Sequence, residues 1–108
     1  MIHHAVMFHL KDECTTDDLE AVRQGLLALP VALPNLVVEY RVGLDLKLTS
    51  GQTHPSGPNR HIFWTCSFRS IDDYETYNSS DAHQSFLSDC LGPRVLKGSR
   101  AALQYETL

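Results

Sequence analysis

The sequence predicts one α+β domain, spanning residues 1–108, whose elements follow the order β-α-β-β-α-β. Three observations lead to this prediction. The chain has the usual length of a single domain, and 43% of its residues are hydrophobic. Four segments have the side-chain pattern that is typical of strands. Two segments with apolar residues at helical spacing lie between the first and second strands and between the third and fourth.

The first predicted strand covers Ile2–Leu10, in which even and odd positions point to opposite faces. Both faces are fairly apolar, so both are expected to be covered. The helix that follows is expected to be capped by Thr15 or Thr16, and Pro30 and Pro34 are expected to end it. Its buried stripe at helical spacing consists of Leu19, Val22, Leu26 and Leu29.

The second and third strands are predicted over Leu36–Val42, which is followed by Gly43, and over His61–Phe68. Between them, residues 47–60 are polar and rich in glycine and proline, which predicts one long loop. Loops of this length often carry function. One hypothesis is therefore that this loop docks a partner in a larger biosynthetic assembly.

Two helical segments follow the third strand. Ser70 is expected to cap the first of them, Ile71–Tyr77. Ser80 or Asp81 is expected to cap the second, which runs to about Leu91. The polar residues between the two segments predict a break there.

The last strand is predicted over Ala101–Tyr105. With it, the order of elements becomes the ferredoxin-like arrangement, a four-stranded antiparallel sheet with helices on one face. The face without helices carries Ala5, Met7 and Phe63. Such an apolar face needs a cover, and a second copy of the chain in a homodimer is the expected one.

Charge and composition argue against several classes of function. The net charge of −4 does not favour binding to nucleic acid or to an anionic membrane surface. No apolar run approaches the ~18–20 residues of a membrane span, and the first residues do not form a signal peptide. The three cysteines are widely spaced, which predicts neither a zinc ribbon nor a disulfide framework and favours a reducing cytoplasmic location. There is no glycine-rich phosphate loop and no nucleophile elbow.

Three motifs resemble those of the stress-responsive dimeric α+β barrel (Dabb) family over residues 1–107. They are MIHHAVMFHLK, the helix into LPNL with its following strand, and SFRSIDDYETYNSSDAHQSF, which is the most specific. The resemblance implies a homodimer whose two sheets face each other to form a barrel. The sequence departs from the family pattern at Ser80-Asp81, where His-Pro is usual, in the longer 47–60 loop, and at His61, which lies one position from the expected histidine.

The resemblance also implies a site. Most members of the family have no established activity, but olivetolic acid cyclase-type members close a linear polyketide by an aldol reaction without metal or organic cofactor. Their catalytic tyrosine and histidine fall by motif on Tyr77 and His83, and a pocket histidine falls on His4. Histidine suits the role of general base, and a tyrosine hydroxyl can donate to an enolate oxygen. The expected substrate-binding residues for a small apolar carbonyl compound are Val6, Phe8, Trp64, Leu26 and Arg23.

Structural alternatives exist for the three candidate catalytic residues. His83 could hydrogen-bond a carbonyl at a helix start, Tyr77 could bury its ring and keep its hydroxyl at the surface, and His4 could be a core or interface histidine. Solvation is the alternative for Arg23. The protein would then be a non-catalytic stress-response or ligand-binding protein.

No metal site is predicted. The remaining histidines are His3, His9 and His61. Their i, i+2 strand spacing, without a carboxylate or cysteine in the same pattern, is weak for metal binding. They are expected at an interface or at the surface.

Overall fold

The computed structural model describes residues 1–51 and 60–107, which form one four-stranded antiparallel sheet with helices on one face. The strands are β1 (Ile2–Phe8), β2 (Tyr40–Leu44), β3 (Ile62–Phe68) and β4 (Ala101–Glu106). Their order in the sheet is β2-β3-β1-β4. Each helical connection therefore joins two strands that are not neighbours in the sheet. The predicted ferredoxin-like fold is confirmed.

The helices are α1 (Thr16–Ala32), α2 (Ile71–Ser79) and α3 (Asp81–Ser85), and α3 continues into a π-helical segment over Phe86–Leu91. A short 3-10 turn covers Thr49–Gly51. Hydroxyl groups cap all three α-helices: Thr15 accepts from the backbone N–H of Asp18, Ser70 from Asp73, and Ser80 from His83. The side-chain oxygens thus satisfy amide groups that a helix start leaves without partners.

Alternation along β1 and β3 separates the two faces of the sheet. The even positions of both strands lie against the helices, and Phe8 and Trp64 are each only 1% exposed. In the β1–β3 register, His4 lies opposite Cys66 and Val6 lies opposite Trp64. The core therefore sits between the sheet and the helices.

The opposite face of the sheet is apolar and exposed. Phe63 is 38% exposed and Met7 is 42% exposed. Leu103 and Tyr105 of β4 are also exposed large hydrophobic residues. The predicted helix-free apolar face therefore exists, and we call these four residues the open face.

The prediction that Pro30 ends the first helix is wrong. Pro30 lies inside α1, and the helix ends only where the Leu33 N–H donates to the Leu29 carbonyl oxygen at 3.0 Å. Proline has a helical φ, but it lacks an N–H and its ring crowds the carbonyl group four residues earlier. Pro30 lies three residues before the C-cap, so this cost falls in the last turn and does not end the helix. Leu33 is the C-cap and directly precedes Pro34, which disfavours further helix.

The second strand begins and ends later than predicted, because its first part pairs irregularly. Ser67 of β3 accepts from the Val38 N–H and donates to the Glu39 carbonyl oxygen, both at 2.9 Å. Two residues thus oppose one, which is the arrangement of a β-bulge. Regular pairing starts at Tyr40, so Gly43 lies within the strand instead of ending it.

The predicted ends of β1 and β3 also need correction. β1 stops at Phe8 because β3 begins at Ile62, opposite it, and Leu10 forms only an isolated bridge to Val95. Next to this end, His61 accepts a hydrogen bond from the Leu10 N–H at 3.3 Å instead of continuing the strand. The other helix and strand ends differ by one or two residues from the predictions.

The segment after α3 is π-helical instead of α-helical. The Gly92 N–H donates to the Leu87 carbonyl oxygen at 2.7 Å, which is an i to i−5 bond. α1 packs closely on this segment at Gly25, where an added Cβ atom would lie 2.9 Å from the Phe86 ring. The absence of a side chain on Gly25 therefore sets the distance between these two elements.

Part of the predicted 47–60 loop, residues 52–59, lies outside the described residues. The hypothesis that the loop docks a partner therefore stays a prediction.

Candidate active site

A small cavity lies between the helix-covered face of the sheet and the helices that follow β3. It encloses about 20 Å³, which is room for about one water molecule. The lining residues that the sequence singled out are His4, Val6, Phe8, Leu26, Trp64, Tyr77 and His83. The other lining residues are Phe86, Leu87, Leu91 and Arg100.

His83 is held by the junction of α2 and α3. Its Nδ1 lies 3.0 Å from the carbonyl oxygen of Asn78. A carbonyl oxygen can only accept, so Nδ1 carries the proton and Nε2 keeps its lone pair. Burial lowers the pKa of His83, the Asn78 carbonyl opposes this, and the positive charge of Arg100 lowers it further. The imidazole is therefore neutral at pH 7, with a basic Nε2.

Tyr77 lies at the end of α2 and is 1% exposed. Its hydroxyl accepts a hydrogen bond from Trp64 Nε1 at 3.1 Å. Its ring centroid lies 4.7 Å from that of His83. Burial raises the pKa of Tyr77 above its usual value, and the neighbouring Cys66 raises it further. The phenol therefore keeps its proton, which is available to a ligand or to the Cys66 sulfur.

His4 is buried on β1, directly opposite Gln104 on β4. Its Nδ1 lies 2.9 Å from Nε2 of Gln104. The amide nitrogen can only donate, so Nδ1 accepts and the imidazole proton is on Nε2. Burial lowers the pKa of His4 to about 4, with smaller contributions from Arg100 and His83. His4 is therefore a neutral hydrogen-bond donor at pH 7.

Arg100 and Gln104 are the polar groups of the site that sequence reasoning missed. Arg100 immediately precedes β4, and strand alternation puts it on the same side of the sheet as Gln104. The period-2 pattern through residues 100, 102 and 104 was the available signal. Arg23, expected at the pocket mouth, lies outside the lining, and its guanidinium pairs with Glu20 at 3.0 Å.

The other histidines lie away from the cavity. His3 stacks on Tyr105 with ring centroids 4.9 Å apart, on the side of the sheet that carries the open face. His9 stacks on His61 with centroids 3.7 Å apart, at the end of β1. Within residues 1–51 and 60–107, no group of three or more histidine, cysteine or acidic residues is placed to hold a metal ion.

Three neutral groups thus surround the cavity with complementary hydrogen-bonding roles. Nε2 of His83 can accept a proton, whereas Nε2–H of His4 and the hydroxyl of Tyr77 can donate. A base beside donors in an apolar enclosure is suited to moving a proton next to a carbonyl group, because the donors stabilise the oxygen on which negative charge develops.

The chain matches the family model described as the stress-responsive A/B barrel domain over residues 2–98. No curated protein matches it significantly. In the part of the chain that the structure describes, no helix is long and apolar enough to span a bilayer.

Three solved structures have a similar fold. A dimeric ferredoxin-like protein of unknown function from Thermobifida fusca has 25% identity and a TM-score of 0.79, and the alignment covers 98% of this chain and 90% of that one. A Dabb family protein from Mesorhizobium loti has 18% identity and a TM-score of 0.73, with 99% and 96% covered. A hydroxynitrile lyase from Passiflora edulis has 16% identity and a TM-score of 0.78, with 96% and 90% covered.

Replacing Tyr77 with Phe should destabilise the fold. The change removes the hydroxyl acceptor for Trp64 Nε1 and leaves this buried N–H with only the weakly accepting Cys66 sulfur, which costs about 1–3 kcal/mol. Urea unfolding would measure the loss. Tyr74→Phe is the matched control, because the Tyr74 hydroxyl makes no hydrogen bond to any described residue. Equal stability of the two variants would contradict the importance of the Trp64–Tyr77 bond.

Stability should depend on pH through His4. Its folded-state pKa is about 4, below the ordinary 6.5. Below pH 6.5 the unfolded chain binds a proton at this position that the folded protein does not. The free energy of unfolding should therefore fall as the pH decreases from about 6.5 to about 4. In His4→Gln, the contribution of this residue to the decrease in the free energy of unfolding should be lost. Urea unfolding across that pH range would measure it. An unchanged pH slope would argue against a buried neutral His4.

Proposed function

The chain belongs to the stress-responsive A/B barrel (Dabb) family, and we propose that its cavity binds a small carbonyl compound on which His83 catalyses proton transfer without a cofactor. The observation that carries the proposal is the orientation of the His83 ring. The Asn78 carbonyl oxygen accepts a hydrogen bond from Nδ1–H of His83, and burial and the Arg100 charge keep the ring neutral. Nε2 of His83 is therefore unprotonated at neutral pH and can accept a proton, and the backbone carbonyl sets the orientation of the ring.

The reaction class that fits these groups is aldol chemistry or its reverse. In the forward direction, Nε2 of His83 removes a proton from the carbon next to a carbonyl, and the electron pair moves to the carbonyl oxygen. His4 and Tyr77 donate hydrogen bonds to that oxygen. The enolate carbon then forms a bond to a second carbonyl carbon, and the alkoxide so formed takes the proton back from the His83 imidazolium. The reverse sequence is a lyase reaction.

The size of the cavity limits the substrate. At about 20 Å³ it accepts only a small group unless the helices move apart, so a linear polyketide would need such a movement. A small ketone, aldehyde or keto acid needs less rearrangement. The hydroxynitrile lyase that shares the fold makes lyase chemistry compatible with this scaffold.

The second candidate function is non-catalytic ligand binding in a stress response. The small cavity favours it, as does Ser80-Asp81 in place of the family's His-Pro pair just before His83. In this case His83 would be a structural residue that joins α2 to α3 through the Asn78 carbonyl.

Deuterium exchange distinguishes the two functions. In D₂O, the wild-type protein should accelerate exchange of the protons next to the carbonyl in at least one of acetone, butanone, pyruvate and acetoacetate, as followed by NMR. His83→Gln should lower the rate by about 10²–10⁴-fold, the usual contribution of a general base. His3→Gln, which removes an imidazole outside the cavity, should leave it unchanged. No wild-type acceleration with any probe, or equal rates in His83→Gln, would reject catalysis in favour of ligand binding.

We further propose that the protein is a homodimer that buries the open face. The face joins apolar side chains from both central strands and from β4, and it is too hydrophobic for a surface that stays in water. The Thermobifida fusca neighbour is described as dimeric, which supports this arrangement. Two copies packed in this way would form the barrel that the family name describes.

Phe63→Asp should convert the dimer to a monomer at micromolar concentration, because it would bury a carboxylate without a partner in the open face. Light scattering would measure the molar mass. Val31→Asp is the matched control, since Val31 is an apolar residue that is 76% exposed on α1, away from the open face. A monomeric wild-type protein, or a dimeric Phe63→Asp variant, would contradict the proposed interface.

A reducing cytoplasmic location is the compartment we propose. The three cysteines are unpaired, with Cys66 buried and Cys14 and Cys90 half-buried. Burial raises the pKa of Cys66 to about 12, so this thiol stays protonated and unreactive.

A further inference from the structure

Among the described residues that line the cavity, Arg100 is the one cationic group. We propose that the substrate carries a carboxylate in addition to its carbonyl group, and that Arg100 is the residue that binds this carboxylate. The inference rests on the proposed function for the location of the site and adds the class of substrate.

The position of Arg100 suits this role. It lies one residue before β4, which is an edge strand exposed along its length. Its side chain lines the cavity together with His4 and His83. Arg100 therefore stands where the cavity meets solvent, so a ligand would pass the guanidinium before reaching the imidazoles.

Within the described residues, the charge of Arg100 is not balanced by a carboxylate. No described residue that lines the cavity is acidic, and no described carboxylate forms an ion pair with Arg100. By contrast, Arg23 pairs with Glu20 and Arg94 pairs with Asp18. The chain has 13 acidic and 9 basic residues, so acidic side chains are plentiful. A negatively charged group on the ligand would therefore balance the positive charge of Arg100.

A carboxylate is the anion that best fits one guanidinium in a small site. The planar fork of arginine forms two parallel hydrogen bonds to a carboxylate, which gives orientation as well as attraction. Arg100 lines the same small cavity as His4, Tyr77 and His83, so a ligand that meets both needs its carbonyl group only a few bonds from its carboxylate. The substrate class is therefore a short 2-oxo or 3-oxo carboxylic acid.

Binding of the carboxylate would also act on the base. The Arg100 charge helps to hold the pKa values of His4 and His83 below the ordinary value. A bound carboxylate would offset that charge, so the His83 pKa should rise and its Nε2 should become a stronger base. A keto acid would in this way make His83, the base that removes its proton, more basic, whereas a neutral ketone would not.

The test is a binding experiment that does not depend on turnover. Pyruvate and acetoacetate are titrated into the wild-type protein, and the histidine ring signals are followed by NMR. At least one acid should give saturable shifts at His4 and His83 and raise the His83 pKa. Arg100→Gln should weaken its binding about 10–100-fold, the usual contribution of a charged hydrogen-bonded pair. Methyl pyruvate and methyl acetoacetate, which lack the charge, should bind the wild-type protein with similarly reduced affinity.

Two further variants serve as controls. Arg23→Gln removes an arginine outside the cavity and should bind the acid as the wild-type protein does. Arg100→Lys keeps the charge without the fork and should bind with intermediate affinity, which keeps the test valid if Arg100→Gln does not fold. The proposal would be overturned if the wild-type protein, Arg100→Lys and a folded Arg100→Gln all bound the acid with equal affinity. It would also be overturned by esters that bind as tightly as the acids, or by a wild-type protein that binds neither acid.

The outcomes separate this inference from the proposed function. Arginine-dependent binding of a keto acid without deuterium exchange would reject the catalytic role and leave the carboxylate site in place. Exchange of pyruvate or acetoacetate, at concentrations well below saturation, at the same rate in the wild-type protein and in Arg100→Gln would support His83 catalysis and overturn the carboxylate site.

Discussion

The hydrogen bond from Trp64 Nε1 to the Tyr77 hydroxyl joins the sheet to the helical layer at the point where the cavity forms. Tyr77 lies near the end of α2, and the next residue supplies the carbonyl oxygen that orients the His83 ring. A polar bond buried in an apolar core holds its partners in one arrangement, because a partner left without the bond is costly. Two hydrogen bonds, joined by the peptide bond between Tyr77 and Asn78, thereby link the position of the sheet to the proposed base.

Burial, more than charge pairing, sets the chemistry of the site. It lowers the pKa values of His4 and His83 and raises those of Tyr77 and Cys66, so all four groups are neutral at pH 7. Among the described residues that line the cavity, Arg100 carries the remaining charge, and it favours the neutral forms of both imidazoles. A site built from neutral donors and acceptors needs little reorganisation of charge before a substrate enters.

Local signals in the sequence predicted the fold, and seven of the eight candidate site residues predicted from the sequence line the cavity, Arg23 being the exception. Hydroxyl caps and strand alternation depend on neighbouring residues, which is why the starts of α1 and α2 and the buried side of β1 were correctly expected. The β-bulge opposite Ser67 depends on a partner strand, so it was not foreseeable from Leu36–Val42 alone. Arg23 shared a helix with buried residues but pointed elsewhere, and Arg100 was overlooked because it precedes a short edge strand. The catalytic roles came from motif resemblance and remain proposals.

The π-helical segment limits the changes in sequence that this part of the chain can tolerate. In an α-helix, two residues five apart diverge by about 140° around the axis, since each step turns by about 100°. The wider π turn brings such residues onto one side, and Phe86 and Leu91, five apart, both line the cavity. Segments of this kind commonly accompany functional sites. Deleting a single residue here would restore α-helical winding and turn one of the two side chains away from the cavity. Insertions and deletions in this segment should therefore be tolerated less well than substitutions.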